Sequence, residues 1–151
     1  TLSTPFDDLR VVGRKRLFGV REGHSIVFKG VVAEEAKRFD ITLRSEEEGD
    51  DPLVLSFRID DKEIILNSYI ASGWDFPEYR RSPLSVGEEF KIEISVCVAE
   101  FNIIINGIWR AKYDTRVDIR NLSLVAVYGD AVIEKIEHLL PQNTNQNVEE
   151  N

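Results

Sequence analysis

Apolar residues recur at every second position along most of this 151-residue chain, and that period admits little besides β-strands with one buried face. Phe39, Ile41 and Leu43 alternate with Asp40, Thr42 and Arg44. Leu53, Leu55, Phe57 and Ile59 alternate with Val54, Ser56, Arg58 and Asp60. Phe101, Ile103 and Ile105 alternate with Asn102, Ile104 and Asn106. Turn signals separate such runs: Gly49-Asp50-Asp51-Pro52, Asp60-Asp61, Ser72-Gly73, Val86-Gly87, Asn106-Gly107 and Gly129-Asp130. Asn106-Gly107 carries the pair of residues that a type I′ hairpin turn needs, because both central positions take positive φ. The pattern predicts strands over residues 16–19, 25–31, 38–44, 53–58, 63–68, 78–82, 89–97, 101–105, 108–112, 122–128 and 131–138. Roughly ten or eleven short strands with regular turns imply an all-β sandwich of two antiparallel sheets. Ala33-Glu34-Glu35-Ala36 has helix propensity but is too short to hold a helix, and a loop is expected there.

The formal charge of −8 argues against phosphate-backbone binding, which needs a basic patch. Arg14-Lys15-Arg16 is the one basic cluster and reads as a solvated turn before a strand. A single cysteine, Cys97, excludes an internal disulfide framework. Its parity matches Glu93 and Ser95 and opposes Ile92, Ile94, Val96 and Val98, so a partly buried structural thiol is expected. A nucleophilic cysteine needs a histidine, and only His24 and His138 exist, both distant in sequence. No apolar run approaches the ~18 residues of a membrane-spanning helix. One thiol and no visible leader predict cytosolic residence, under which the sequon Asn121-Leu122-Ser123 has no role. Glu46-Glu47-Glu48-Gly49-Asp50-Asp51 lacks the ordered ligand spacing of a calcium loop and reads as a solvated acidic turn. A domain over residues 12–139 is expected, preceded by a segment 1–11 in which Phe6 and Leu9 offer apolar contacts. A polar Asn-, Gln- and Glu-rich tail over 140–151 has too little apolar surface to order itself.

Function is concentrated between Leu53 and Arg81. Strand parity puts Ser56 and Arg58 on the face opposite Leu55 and Phe57, with Asp60 continuing that parity into the turn. A short connection through Asp60-Asp61-Lys62 makes the next strand a neighbour, so Asn67 joins the same patch. Glu78 and Arg80 share a parity and offer to extend it on a third strand. Arg, Asn and Glu supply fixed donors and acceptors for hydroxyls. The Trp74 indole supplies a flat apolar platform for the C–H face of a sugar. Arg58 or Arg80 beside Glu78 would make a rigid pair with hydrogen-bonding capacity to spare. Asp60 and Glu78 as a glycosidase acid/base pair is the enzymatic alternative. Both carboxylates pair more naturally with Arg58 and Arg80, so no catalysis is expected.

From Gly23 to Ile136 the chain resembles a galectin carbohydrate-recognition domain. The resemblance is carried, in unbroken order, by Gly23-His24-Ser25-Ile26-Val27-Phe28-Lys29-Gly30, Arg38-Phe39-Asp40-Ile41-Thr42-Leu43, Leu53-Val54-Leu55-Ser56-Phe57 and Ile64-Ile65-Leu66-Asn67-Ser68. Trp74, Glu78-Tyr79-Arg80, Pro83-Leu84, Gly87-Glu88-Glu89-Phe90, Phe101-Asn102-Ile103-Ile104-Ile105-Asn106-Gly107 and Leu122-Ser123-Leu124-Val125-Ala126-Val127-Tyr128-Gly129-Asp130-Ala131-Val132-Ile133 complete it. It implies a jelly-roll sandwich and a metal-independent, non-catalytic lectin for β-galactosides with no cofactor. By position it implies that Asn67, Trp74, Glu78 and Arg80 bind sugar. The family's His, Asn and Arg of the preceding strand are replaced by Ser56, Arg58 and Asp60. Trp74 and Glu78 are also one residue further apart than the family pattern has them.

These departures predict altered or weakened β-galactoside specificity, because a site built to bond particular hydroxyls loses selectivity when its partners change. The alternative is a galectin-fold module that has lost sugar binding and contacts proteins. Glycans or glycoproteins are the expected partners, with no nucleic acid and no membrane insertion. The resemblance also allows a homodimer and leaderless export to the cell exterior.

Overall fold

A computed structural model describes residues 9–141. Phe6 and most of the two terminal segments expected from the sequence lie outside the described residues. Twelve strands are present among the described residues: β1 Val11–Arg16, β2 Ser25–Val32, β3 Arg38–Ser45, β4 Asp50–Arg58, β5 Glu63–Ile70, β6 Gly73–Trp74, β7 Glu78–Arg81, β8 Glu89–Cys97, β9 Glu100–Ile105, β10 Trp109–Asp114, β11 Leu124–Gly129 and β12 Ala131–Leu139. One sheet runs β1-β11-β3-β4-β5, and β5 then pairs with β6 at one end and β7 at the other. The second sheet runs β10-β9-β8-β2-β12. All ladders are antiparallel, so the sandwich expected from period two is the observed architecture.

The inward faces follow the predicted parity. Phe39, Ile41 and Leu43 on β3, Leu53, Leu55 and Phe57 on β4, and Ile64 and Leu66 on β5 are buried against Phe28, Ile92, Ile94, Phe101 and Ile103 of the other sheet. Phe39 stacks on Phe57 at 4.5 Å and on Phe90 at 5.3 Å, which ties the two layers together. Burying each such ring stabilises the fold by about 1.5–3 kcal/mol relative to leaving it exposed. Residues 33–37 form a turn rather than a helix. Asn106 and Gly107 have φ of 53° and 74°, and the Ile108 amide closes the turn on the Ile105 carbonyl at 3.2 Å. The ladder resumes at Trp109 opposite Ile105, so Ile108 bulges into solvent and the strand begins one residue later than expected.

The first strand departs from expectation. Of the strand expected over residues 16–19 only Arg16 is in one, the last residue of β1, and Arg14-Lys15-Arg16 is not a turn: all three lie in β1, paired with Val125 and its neighbours on β11. A largely exposed edge strand has little need of apolar alternation, and the buried Leu17 and Val20 plug the core from the loop that follows. Cys97 ends β8 half-buried and accepts a hydrogen bond from Asn102 Nδ2 at 3.1 Å, the structural setting expected for it.

Candidate functional site

On the outer face of the seven-stranded sheet, residues directly opposite one another form transverse rows. Asp40, Ser56 and Ile65 make one row across β3, β4 and β5. Arg38, Arg58 and Glu63 make the next, and Arg81 of β7 extends it. Asp40 is 0% exposed, and a buried carboxylate is tolerable only when its oxygens are bonded. Arg38 supplies a bidentate clamp, Nε to Oδ1 at 3.0 Å and Nη2 to Oδ2 at 2.7 Å. Ser56 Oγ donates to Asp40 Oδ1 at 2.8 Å and accepts from Arg58 Nε at 2.9 Å. The hydrogen bonds that Arg38 donates to Asp40 raise the Arg38 pKa above its already high ordinary value. This chain of four side chains fixes the orientation of Arg58 and commits the Ser56 hydroxyl to the protein.

The neighbouring row places Asn67 opposite Val54. Asn67 Nδ2 donates to the Asp75 carbonyl at 3.1 Å, and its Oδ1 accepts from the Ser68 amide at 2.8 Å and from Arg116 Nη1 at 3.3 Å. Trp74 lies on β6 opposite Tyr69, their rings edge to face at 5.2 Å. Arg38, Asp40, Ser56, Arg58, Asn67 and Trp74 line a cavity of about 240 Å³ floored by Val54 and Ile65. Trp74 remains 47% exposed. The cavity is smaller than the ~300–1,000 Å³ clefts that enclose drug-sized ligands, so a larger ligand lies partly outside it.

Four of the seven predicted site residues, Ser56, Arg58, Asn67 and Trp74, thus converge on one cavity. The other three are placed elsewhere. Asp60 is exposed in the β4–β5 turn, 3.6 Å from Lys37 Nζ. Glu78 and Arg80 stand opposite Leu66 and Ile64, which face the core, so on β7 the outward parity belongs to Tyr79 and Arg81. The third strand does pair with β5, yet it does not extend the patch with the residues expected. Glu78 and Arg80 do form the expected ion pair at 3.0 Å, and Arg80 also reaches the Tyr79 and Lys112 carbonyls.

Three residues escaped the sequence reading. Arg38 and Asp40 sit in a recognised strand with polar parity, but only the cross-strand register reveals that they close on Ser56. Arg116 follows β10 and collects groups from three directions. Its Nη1 donates to Asn67, to Asp75 Oδ2 at 3.0 Å and to the Phe76 carbonyl at 2.6 Å, its Nη2 donates to Glu78 Oε2 at 3.0 Å, and its guanidinium lies 4.6 Å from the centre of the Tyr113 ring.

The other candidate chemistries resolve into structure. Glu46 pairs with Arg16 at 2.8 Å, Glu48 accepts from Asn121 Nδ2 at 2.5 Å, Asp50 accepts from the Ala71 amide at 3.2 Å, and Asp51 lies 3.7 Å from Arg44. His24 and His138 meet at 2.8 Å between ring nitrogens, and burial, His24 and Lys15 together push the His138 pKa below its ordinary value. Among the described residues no cluster of three or more His, Cys, Asp or Glu side chains is placed to hold a metal ion. No helix of the described residues is long and apolar enough to cross a membrane.

The family model for galactoside-binding lectins matches residues 15–138. A 32 kDa beta-galactoside-binding lectin of Caenorhabditis elegans is 30% identical over 118 residues, covering 76% of this chain and 42% of that protein. Galectin-8 of Rattus norvegicus is 31% identical over 111 residues, covering 72% of this chain and 35% of that protein. The chain therefore spans less than half the length of these relatives. Among solved structures, the Caenorhabditis elegans galectin LEC-6 superposes with a TM-score of 0.78 at 19% identity, covering 83% of this chain and 89% of that one. That likeness establishes the jelly-roll fold.

Proposed function

From the premise that the chain belongs to the galactoside-binding lectin family, whose named relatives are lectins rather than enzymes, we propose that it binds glycans at the Trp74 cavity with a specificity altered from that of an ordinary β-galactoside site. The observation that carries this reading is the convergence of Ser56, Arg58, Asn67 and Trp74 on one cavity. The half-exposed indole offers its apolar surface to the C–H face of a sugar, while Asn67 and Arg58 present donors to its hydroxyls. Altered specificity is supported by the Ser56 hydroxyl being committed to Asp40 and by Asp60, Glu78 and Arg80 lying outside the cavity lining. A shallow site of this kind holds a saccharide with a Kd of about 1 mM to tens of µM, roughly −4 to −6 kcal/mol.

A glycan array run with the protein and with Trp74→Ala tests the reading. Hits that disappear with the indole support it. Hits that persist move the site elsewhere. An array blank at high protein concentration leaves the protein-contact reading, for which the neighbouring exposed Phe76 and Tyr79 would be the contact surface.

A further inference from the structure

We propose that the saccharide bound here carries an anionic substituent, a sulfate ester or a carboxylate, gripped by Arg58; the proposal rests on the glycan-binding reading above. Arg38 and Arg58 are direct cross-strand partners on the outward face. Like charges placed opposite each other in a sheet destabilise it unless something offsets them. Asp40 offsets one of the two, through the bidentate clamp on Arg38. Arg58 receives no such partner: among the described residues it forms no ion pair, and its side-chain hydrogen bond is the one from Nε to Ser56 Oγ at 2.9 Å. The charged groups lining the cavity are therefore Arg38, Asp40 and Arg58, a net +1 on a chain whose formal charge is −8.

The bond to Ser56 also settles how Arg58 presents itself. With Nε tied down, the two terminal nitrogens remain as a pre-oriented fork. A planar fork matches two oxygens of a carboxylate or a sulfate, and two parallel charge-assisted bonds exceed what one sugar hydroxyl can return. The carboxylate that faces Arg58 from the next strand is Glu63, its partner across β4 and β5 and also the partner of Arg81. Glu63 stands between two arginines, is only partly buried and makes no ion pair with either among the described residues. Its negative charge opposes an anionic ligand at Arg58, and its removal predicts a gain rather than a loss.

The test is isothermal titration with lactose, lactose 3′-O-sulfate and sialyllactose, at about 25 mM and about 300 mM NaCl. The expected result is that the sulfate or the carboxylate form binds about tenfold more tightly than lactose at low salt, with the ratio shrinking at high salt. Whichever of the two is preferred identifies the source of the anion. In Arg58→Gln the ratio falls to about one, and in Glu63→Gln the anionic form binds about two- to threefold more tightly, each variant checked for its native melting transition. Lactose bound as well as both anionic forms overturns the proposal while leaving glycan binding intact. An anionic preference that survives Arg58→Gln also overturns it. Binding of none of the three overturns the proposal, while the glycan array with Trp74→Ala decides separately the reading on which it rests.

Discussion

Arg116 is the residue on which the edge of the cavity depends. Asn67 of β5 and Asp75 and Glu78 at the entry to β7 are all bonded by one guanidinium. Its side chain is mostly buried while the two carboxylates are about one-third exposed, so solvent screening reduces what the pairs contribute. Arg116→Ala is expected to lower stability by about 1–2 kcal/mol in urea unfolding, and to weaken glycan binding by about tenfold through the released Asn67. Arg116→Lys cannot reproduce the fork and should recover stability better than affinity, a split that simple loss of packing would not give. Asp60→Ala is the contrasting case: an exposed turn carboxylate outside the cavity should change saccharide affinity by less than about twofold in the same titration. Sequence parity correctly grouped Ser56, Arg58 and Asn67, because alternation fixes which face a strand residue takes. It could not expose Arg116, a lone arginine in a loop whose partners lie 38 to 49 positions away.

At the level of strands, β7 shows how one residue of spacing reaches the site. The stretch Asp75-Phe76-Pro77 sets the phase at which the chain enters β7, and that phase turns Glu78 and Arg80 inward and Tyr79 and Arg81 outward. The longer Trp74-to-Glu78 spacing was visible in the sequence, but its consequence needed the ladder register, since a shift of one residue exchanges the two faces of a strand. The strands with a buried face were legible from period two. The exposed edge strand β1 and the two-residue β6 were not, because neither buries a repeating apolar set. The β11–β12 connection supplies the element-scale prediction. Gly129 has φ of +97°, and a Cβ there would lie 2.5 Å from the Arg38 carbonyl oxygen. Its neighbour Asp130 accepts the Lys37 and Arg38 amides, so this turn holds the start of β3 beside the cavity. Gly129→Ala combines a left-handed backbone with a backbone clash and should cost about 2–4 kcal/mol by urea unfolding. Saccharide affinity should fall with it, because Arg38 would be displaced. A variant as stable as the parent would remove this turn from the account.

For the whole molecule, two groups on different sheets give the pH dependence of stability opposite slopes. Asp51, nearly inaccessible on β4, is pushed up to about 6 by burial, only partly countered by Arg44, and Asp50 adds to the rise. Its Oδ1 has no hydrogen-bond partner and meets Arg44 only at 3.7 Å. A folded pKa above the unfolded 3.8 means that the native state binds the extra proton between those values. Stability from this group is therefore complete below 3.8 and is lost as pH rises through about 6, a loss of about 2–3 kcal/mol by the neutral range. His138 works the other way. Its folded pKa lies below 6.5, so the unfolded chain holds more protons, and its contribution is present above 6.5 and lost as pH falls. Asp51→Asn should thus be more stable than the parent by about 2–3 kcal/mol at neutral pH, with the gain shrinking through the acid range and vanishing near the unfolded value. Arg44 is over one-third exposed and water can solvate it once its partner is neutral. The slopes that remain in the variant, from His138 and at the acid end from Glu46 and Asp118, rise with pH, so its stability should rise where the parent's is flat or falling. Urea unfolding of both proteins across that range decides it: a stability difference independent of pH, or a variant weaker than the parent at neutral pH, would mean that Asp51 is stabilised as the anion.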